Sequence, residues 1–558
     1  MQNGRKTSEK FIDAFDFLHE HIVPIIIVVI IAAGVLATTL IVKGKAAPVT
    51  ESATDVSYVD MSTVYFAMDP VNSLNPLSSQ DSDVYYISQL VYSSLFKVNA
   101  NMGLVKDLVK SYDTNASEGS VSIVLRSNAR FSDGSHLTAE DVRYTIHEIN
   151  SIGSSSPYYE YANKIDSADV TGTYSLTIKF ADPSDAALDN LVFPIVSSSS
   201  YSADSAAMDT GSGQYKYSSY DSTRYLKLTP NSRYYGNKAA NSVVFRVVPM
   251  KSKVTGLMTM DYITAYVSRA SGADADAEDK NLKDTEISSN RMEYLGFNFK
   301  NKFLAENTVR VAIAESLDTD QIIRDNYGGK GVSADSIYFP GFLGTENKGD
   351  AYPINQSDAI KRLEKAGFYD SNGDGVLEDT NTGDKLKLTL IVNSDDSSRV
   401  DTAQSVSDAL EEEGFQIIIK KLSYSSYVSA LKNGDFDLCI GGYQFDKKFD
   451  LRKLLAKNNY LSYNNSRAEK LADTLETSIS VGAEKKAYEQ LKTILTDELP
   501  YYCLCYKTYS FITVDKFESE TVPTYFDIYR GCGSWKWQKA RTADNESDTY
   551  SDSASGSD

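Results

Sequence analysis

The chain has 558 residues, 42% of them hydrophobic and 24% charged, an ordinary globular composition over a length sufficient for two or three domains. Its formal net charge is −20, and no Lys/Arg-rich run supplies the basic footprint that phosphate backbones require, which excludes a nucleic-acid binder. The four cysteines, Cys439, Cys503, Cys505 and Cys532, are too few and too scattered for a disulfide framework.

Taken in chain order, the first predicted element is a membrane span. Residues 22–42 (IVPIIIVVIIAAGVLATTLIV) carry no charge, and at 1.5 Å per residue they cross a hydrocarbon core of about 30 Å. A cleavable signal peptide has a shorter apolar core, about 7–15 residues, and Ala46-Ala47-Pro48 makes a poor cleavage site, so the expectation is an uncleaved anchor. Arg5, Lys6 and Lys10 precede the run, which leans toward a cytoplasmic segment at 1–21, although Lys43 and Lys45 follow it. Residues 43–60 read as a polar linker, and the Ser- and Asp-rich tail 541–558 reads as disordered.

Between them the pattern is mixed α/β. Thr138 with Asp141 three residues on reads as a helix start, and Val142, Ile146 and Ile149 follow on one face. Asp370-Ser371-Asn372-Gly373-Asp374-Gly375 matches the first half of a calcium loop, but the twelfth position is Asn381 rather than Glu, with Glu378 at the ninth. A tight glycine turn explains the same residues, and no metal is assigned. Leu386, Leu388 and Leu390 alternate as a strand, Ala403, Val406 and Leu410 mark a helix, and Phe415, Ile417 and Ile419 form a second strand: a β-α-β unit. Ala487, Leu491 and Ile494 mark a late helix, with Pro500 just beyond.

Enzyme signatures are missing. There is no G-x-S-x-G elbow, no phosphate loop, no HExxH and no G-x-G-x-x-G, and His136 and His147 are the only histidines of the body. No catalytic residue and no cofactor are assigned.

Longer strings carry more. Leu74-Asn75-Pro76-Leu77 precedes Val91-Tyr92 and Leu95-Phe96; LRSNARFSDGSHLTAEDV spans 125–142; then come Gly211-Ser212-Gly213-Gln214-Tyr215 and Asn231-Ser232-Arg233-Tyr234-Tyr235-Gly236. Gly296-Phe297-Asn298, VRVAIAESLD (309–318) and KAGFYDSNGDGVLE (365–378) follow, with Tyr488, Leu499-Pro500 and Tyr506 near the end. In this order, from about Val64 to Trp535, the chain resembles the family 5 extracellular solute-binding proteins, the dipeptide and oligopeptide receptors of ABC importers.

The resemblance implies a two-lobed, periplasmic-binding-protein-like (type II) α/β fold with an extra N-terminal subdomain, here following one transmembrane helix. It implies a first lobe with its inserted subdomain over 61–293, a second lobe over 294–500 and a return to the first over 501–540. The crossing strands would lie near Tyr294–Phe299 and Pro500–Lys507. The ligand, a short peptide, would be enclosed by hinge closure. Ser79, Gln80, Asp81 and Ser82 match the family's first-lobe contact segment. Gly442, Tyr443, Gln444 and Asp446 match its G-W-x-x-D, with Tyr443 in place of Trp and Asp446 as counter-ion to the peptide α-amino group. Arg452, Lys447 and Lys448 are the candidates for a carboxylate anchor. The implied partners are ABC permease subunits, with the receptor a monomer on the extracytoplasmic face. A non-peptide solute (a glycan or metal chelate), a surface sensor and a membrane-anchored hydrolase remain alternatives.

Overall fold

The strand Thr63–Met68 (TVYFAM) is apolar on both faces because both are covered: all six residues are buried. It pairs in parallel with Ser242–Val247, which continues antiparallel to Tyr225–Pro230 and then Tyr215–Asp221. The computed structural model describes residues 62–537 apart from 184–186, 209, 271–272, 446–448 and 520. The expected span 22–42 and the tail 541–558 lie outside the described residues; within those, no helix is long and apolar enough to cross a membrane.

A second four-stranded sheet is inserted within the first, built from Val109–Asn115, Ser120–Leu125, Ser175–Phe180 and Ile165–Gly172 in that order. Along Ser120–Leu125, Val121, Ile123 and Leu125 are buried and the residues between them are not, the period-2 signature of a sheet covered on one side. The helix Ala139–Ile152 starts where expected. Asp141 accepts the backbone N–H of Thr138 at 2.8 Å and its hydroxyl at 3.0 Å, satisfying orphan donors at the helix start. Val142, Ile146 and Ile149 are buried together.

The third sheet joins the two halves of the body. Its seven strands include Ala265–Ser268, Tyr501–Thr513, Lys283–Phe297, Leu438–Gln444, Lys387–Asn393 and Gln416–Leu422 in sequence across the sheet. The last two are the strands of the predicted β-α-β unit: Lys387–Asn393 runs parallel to Gln416–Leu422 across the helix Ser397–Glu412. The two long central strands pair antiparallel from Lys283/Thr513 to Gly296/Tyr501. They are longer than expected, and the predicted boundary at 293/294 falls inside one continuous strand.

Because successive side chains point to opposite faces, these strands serve two cores. Leu295, Phe297, Tyr502 and Leu504 enter a second core with Leu388, Leu390, Leu438 and the helix residues Ala403, Val406 and Leu410. Met292, Tyr294, Tyr501 and Cys503 point the other way, into the larger first core. All four cysteines are buried and free.

Candidate functional site

The Leu74-Asn75-Pro76-Leu77 corner sets the entry to the site. Asn75 is fully buried and uses both ends of its amide. Its Nδ2 donates to the carbonyls of Ser205 (2.9 Å) and Ser202 (3.2 Å), while Oδ1 accepts Leu77 N–H, Ser78 N–H and the Tyr201 hydroxyl. This fixes the following segment. Ser79 is buried, and its Oγ accepts Asp81 N–H at 3.3 Å. The exposed Gln80 amide reaches the Ser155 carbonyl at 2.5 Å. Asp81 accepts Asp83 N–H at 2.9 Å and caps the helix Ser82–Val91.

That helix presents two faces to two cavities. Tyr85, Ser88 and Gln89 line a cavity of about 230 Å³. Ser82, Asp83 and Tyr86 line another of about 300 Å³. The helix C-terminus is held by the Gly211-Ser212-Gly213 turn: Gly213 N–H donates to the Val91 carbonyl at 2.7 Å, and a Cβ on Gly213 would stand 2.5 Å from the Leu90 carbonyl oxygen. The backbones meet too closely for any side chain, which is why glycine stands there.

The 230 Å³ cavity has an aromatic wall and charged ends. Tyr85 stacks on Tyr158 with ring centroids 5.9 Å apart, and Tyr161 lies beside them. Lys97 and Asp527 line it from the first half and the C-terminal segment, and Phe342 and Glu484 come from the second half of the body. Lys97 pairs with Asp107 at 3.0 Å. Burial opposes the Lys97 ammonium, but Asp107 outweighs it and the pKa rises. Asp107 is itself engaged further, accepting Ser94 N–H at 3.0 Å and the Tyr235 hydroxyl. Asp527 is different: no Lys or Arg stands within ion-pair distance of it among the described residues. Burial raises its pKa, and the more distant Lys97 and Arg530 only partly oppose this. In the second cavity Lys251 pairs with Asp69 at 2.8 Å, and burial likewise raises Asp83.

The strand Leu438–Gln444 carries the other predicted segment; Asp446, with Lys447 and Lys448, lies outside the described residues. Gly442 stands opposite Glu293, Tyr443 opposite Met292 and Gln444 opposite Arg291. Glu293 is 2% exposed and accepts a two-pronged pair from Arg399, at 2.7 and 3.0 Å, with Lys507 at 3.2 Å on the same carboxylate. The Arg399 guanidinium lies across Gly442, where a Cβ would collide with its Nη2. Tyr443 packs edge-on against Phe445, which stacks on Phe449 at 4.5 Å; Phe449 in turn reaches Tyr525.

Of the predicted residues, Ser82 lines the 300 Å³ cavity, and none of Ser79–Asp81 or Gly442–Gln444 lines the 230 Å³ cavity. Arg452 is occupied by Asp450 at 2.9 Å. In the acidic loop the oxygens of Asp370, Asp374 and Glu378 lie within 4.8 Å of one another. They are already used: Asp370 accepts Gly373 and Gly375 N–H, Glu378 accepts Ser371 N–H, and Lys385 sits on Asp374. Gly373 and Gly375 both adopt positive φ, so the tight-turn reading accounts for the residues present. His136 Nδ1 meets the Tyr174 hydroxyl at 2.9 Å.

Sequence reasoning missed Asp527, Lys97 and the Glu293–Arg399–Lys507 cluster. The one legible signal was a carboxylate inside an apolar run, in Met292-Glu293-Tyr294-Leu295 and in Tyr525-Phe526-Asp527-Ile528-Tyr529.

Comparisons with known proteins agree with this architecture. The oligopeptide-binding protein AppA of Bacillus subtilis strain 168 is 25% identical over 460 residues, covering 77% of this chain and 83% of that protein. The probable D,D-dipeptide-binding periplasmic protein DdpA of Escherichia coli K12 is 24% identical over 482 residues, covering 81% and 89%. A solved structure described as a nickel ABC transporter from Bacillus halodurans superposes with a TM-score of 0.70 at 18% identity, covering 85% of this chain and all of that one, and so shares the fold. The profile of the bacterial extracellular solute-binding proteins, family 5 (middle region), matches residues 103–460, well over half of the chain. The chain belongs to the family 5 bacterial extracellular solute-binding proteins.

Proposed function

We propose that this protein captures short peptides outside the cytoplasm and delivers them to an ABC permease, tethered by residues 22–42. The observation that carries the reading is a cavity walled by both halves of a family 5 body: Tyr85, Tyr158 and Asp527 on one side, Phe342 and Glu484 on the other. Contacts between the halves support closure over a guest: Leu343 N–H donates to the Asn101 carbonyl at 2.8 Å, and Phe339 and Phe449 pack on Tyr525. Two segments joined through paired central strands bend about those strands, opening the cavity to load it and excluding water when shut. The relatives named for peptides make a peptide the favoured cargo. Asp446 is its α-amino counter-ion, since a buried ammonium needs a paired carboxylate. Ser79–Ser82 and Gly442–Gln444 lie outside the lining of this cavity and meet the peptide where it extends beyond it, with backbone groups holding it there as an added strand.

The test is calorimetry of the soluble body (residues 60–537) with dipeptides through pentapeptides, combined with native mass spectrometry of co-purifying solute. Saturable peptide binding, lost in Asp446→Asn, is expected, with a smaller radius of gyration on saturation. A body that carries a non-peptide solute and ignores every peptide overturns the peptide reading.

A further inference from the structure

We infer that the 230 Å³ cavity selects solutes carrying a protonated amine or guanidinium on an aliphatic shaft, with Asp527 as the counter-ion. The inference rests on the reading of that cavity as the solute site and adds a chemical class to it. Three features lead there. First, both cations that line the cavity with Asp527 are engaged elsewhere: Lys97 pairs with Asp107 at 3.0 Å, and Arg530 donates to the Val522 carbonyl at 3.0 Å. Asp527 is therefore a half-buried carboxylate on the cavity wall with no Lys or Arg in ion-pair contact among the described residues. Burial raises its pKa, which marks a carboxylate that an arriving ammonium would stabilise.

Second, the walls suit an aliphatic cation. Tyr85, Tyr158 and Tyr161 offer ring faces for the methylene shaft and for cation–π attraction, and burial pushes the Tyr85 and Tyr158 hydroxyls up, so they stay neutral donors and acceptors. Third, the volume falls below the roughly 300–1,000 Å³ of pockets for drug-sized ligands, so the guest is of the order of one or two amino-acid residues, or one basic side chain of a longer peptide. Position fits as well: Phe445 and Phe449, which bracket the segment proposed to hold the peptide α-amino group, stack together, and Phe449 reaches Tyr525, two residues from Asp527.

The shared chemistry could come from a basic peptide or a free amine, and calorimetry separates them. The probes are Gly-Lys, its near-isostere Gly-norleucine, cadaverine and spermidine, against the parent, Asp527→Asn and Gln89→Lys. Gln89 lines the same cavity, so Gln89→Lys brings a resident ammonium while leaving Asp527 intact. Gly-Lys is expected to bind the parent about 30-fold more tightly than Gly-norleucine, the scale of a hydrogen-bonded charge of about 2 kcal/mol. Both variants should erase that preference while keeping the parent's circular dichroism. Tighter cadaverine or spermidine than Gly-Lys would assign the site to free amines. Equal binding of Gly-Lys and Gly-norleucine to the parent, or an undiminished preference in both variants, overturns the inference and leaves the peptide reading standing. Binding of amines without any peptide overturns the peptide reading alone. No binding by any cation overturns the inference.

Discussion

Single residues explain why the family strings look like binding motifs and act as joints. The Asn75 side chain makes six hydrogen bonds from a fully buried position, tying residues 77–78 to residues 201–205. Asn75→Ala takes a partner from three carbonyls, two N–H groups and the Tyr201 hydroxyl, each orphaned group costing about 1–3 kcal/mol before relaxation and water entry. A loss of roughly 3 kcal/mol in urea unfolding is expected, and a loss under 1 kcal/mol would show that the corner does not depend on this amide. The sequence made Asn75-Pro76, Gly211-Ser212-Gly213 and Asn231 conspicuous, but not that Asn231 Nδ2 bonds the Gly213 carbonyl at 2.8 Å and that Gly213 bonds Val91. Those partners are separated by more than a hundred residues in one case, and periodicity carries no information about them.

At the scale of elements, legibility followed local pattern. The Ala139–Ile152 helix and the parallel pair around Ser397–Glu412 announced themselves by period and caps. The central strand Lys283–Phe297 was read only in its apolar half. Its first half, Lys283-Asp284-Thr285-Glu286, is polar because one face is open and carries the Lys330 pairs with Asp284 and Glu286. Where that strand turns inward, Glu293 gathers Arg399 from the Ser397–Glu412 helix and Lys507 from the return strand. Removing one member of a buried ion pair strands the others, so Glu293→Gln should cost about 3 kcal/mol, the low end of the range because Arg399 and Lys507 keep some solvent contact. The double variant Glu293→Leu with Arg399→Met should cost less than the sum of its single variants. Additive costs in that double-mutant cycle would mean that the two side chains do not act as a pair.

On the scale of the whole molecule, the two cores have opposite faces of the same strands for walls. Tyr501 and Cys503 pack into the first and Tyr502 and Leu504 into the second; Tyr294 and Leu295 divide in the same way. Melting either core strips one face of the central strands, and the other core then loses the sheet it rests on. Unfolding of the body should therefore be a single transition despite its length. The sequence supplies a native probe: the only two tryptophans are Trp535, buried against Phe66 and Phe511, and Trp537, whose indole N–H donates to the Thr63 carbonyl at 3.0 Å, so fluorescence reports the first core alone. Amide exchange in Lys387–Asn393 reports the second. Coincident urea midpoints for the two are expected in the parent, and saturation with a solute that binds only the folded body should move both together. Separate midpoints would mean that the halves unfold independently and that the central strands act as a passive link. The same geometry explains why the 230 Å³ cavity could not be read from the chain. Its walls come from residues 85–102, 158–161, 189–194, 214, 234, 342, 484 and 526–531, which meet only after the central strands have brought the second half and the C-terminal segment back against the first.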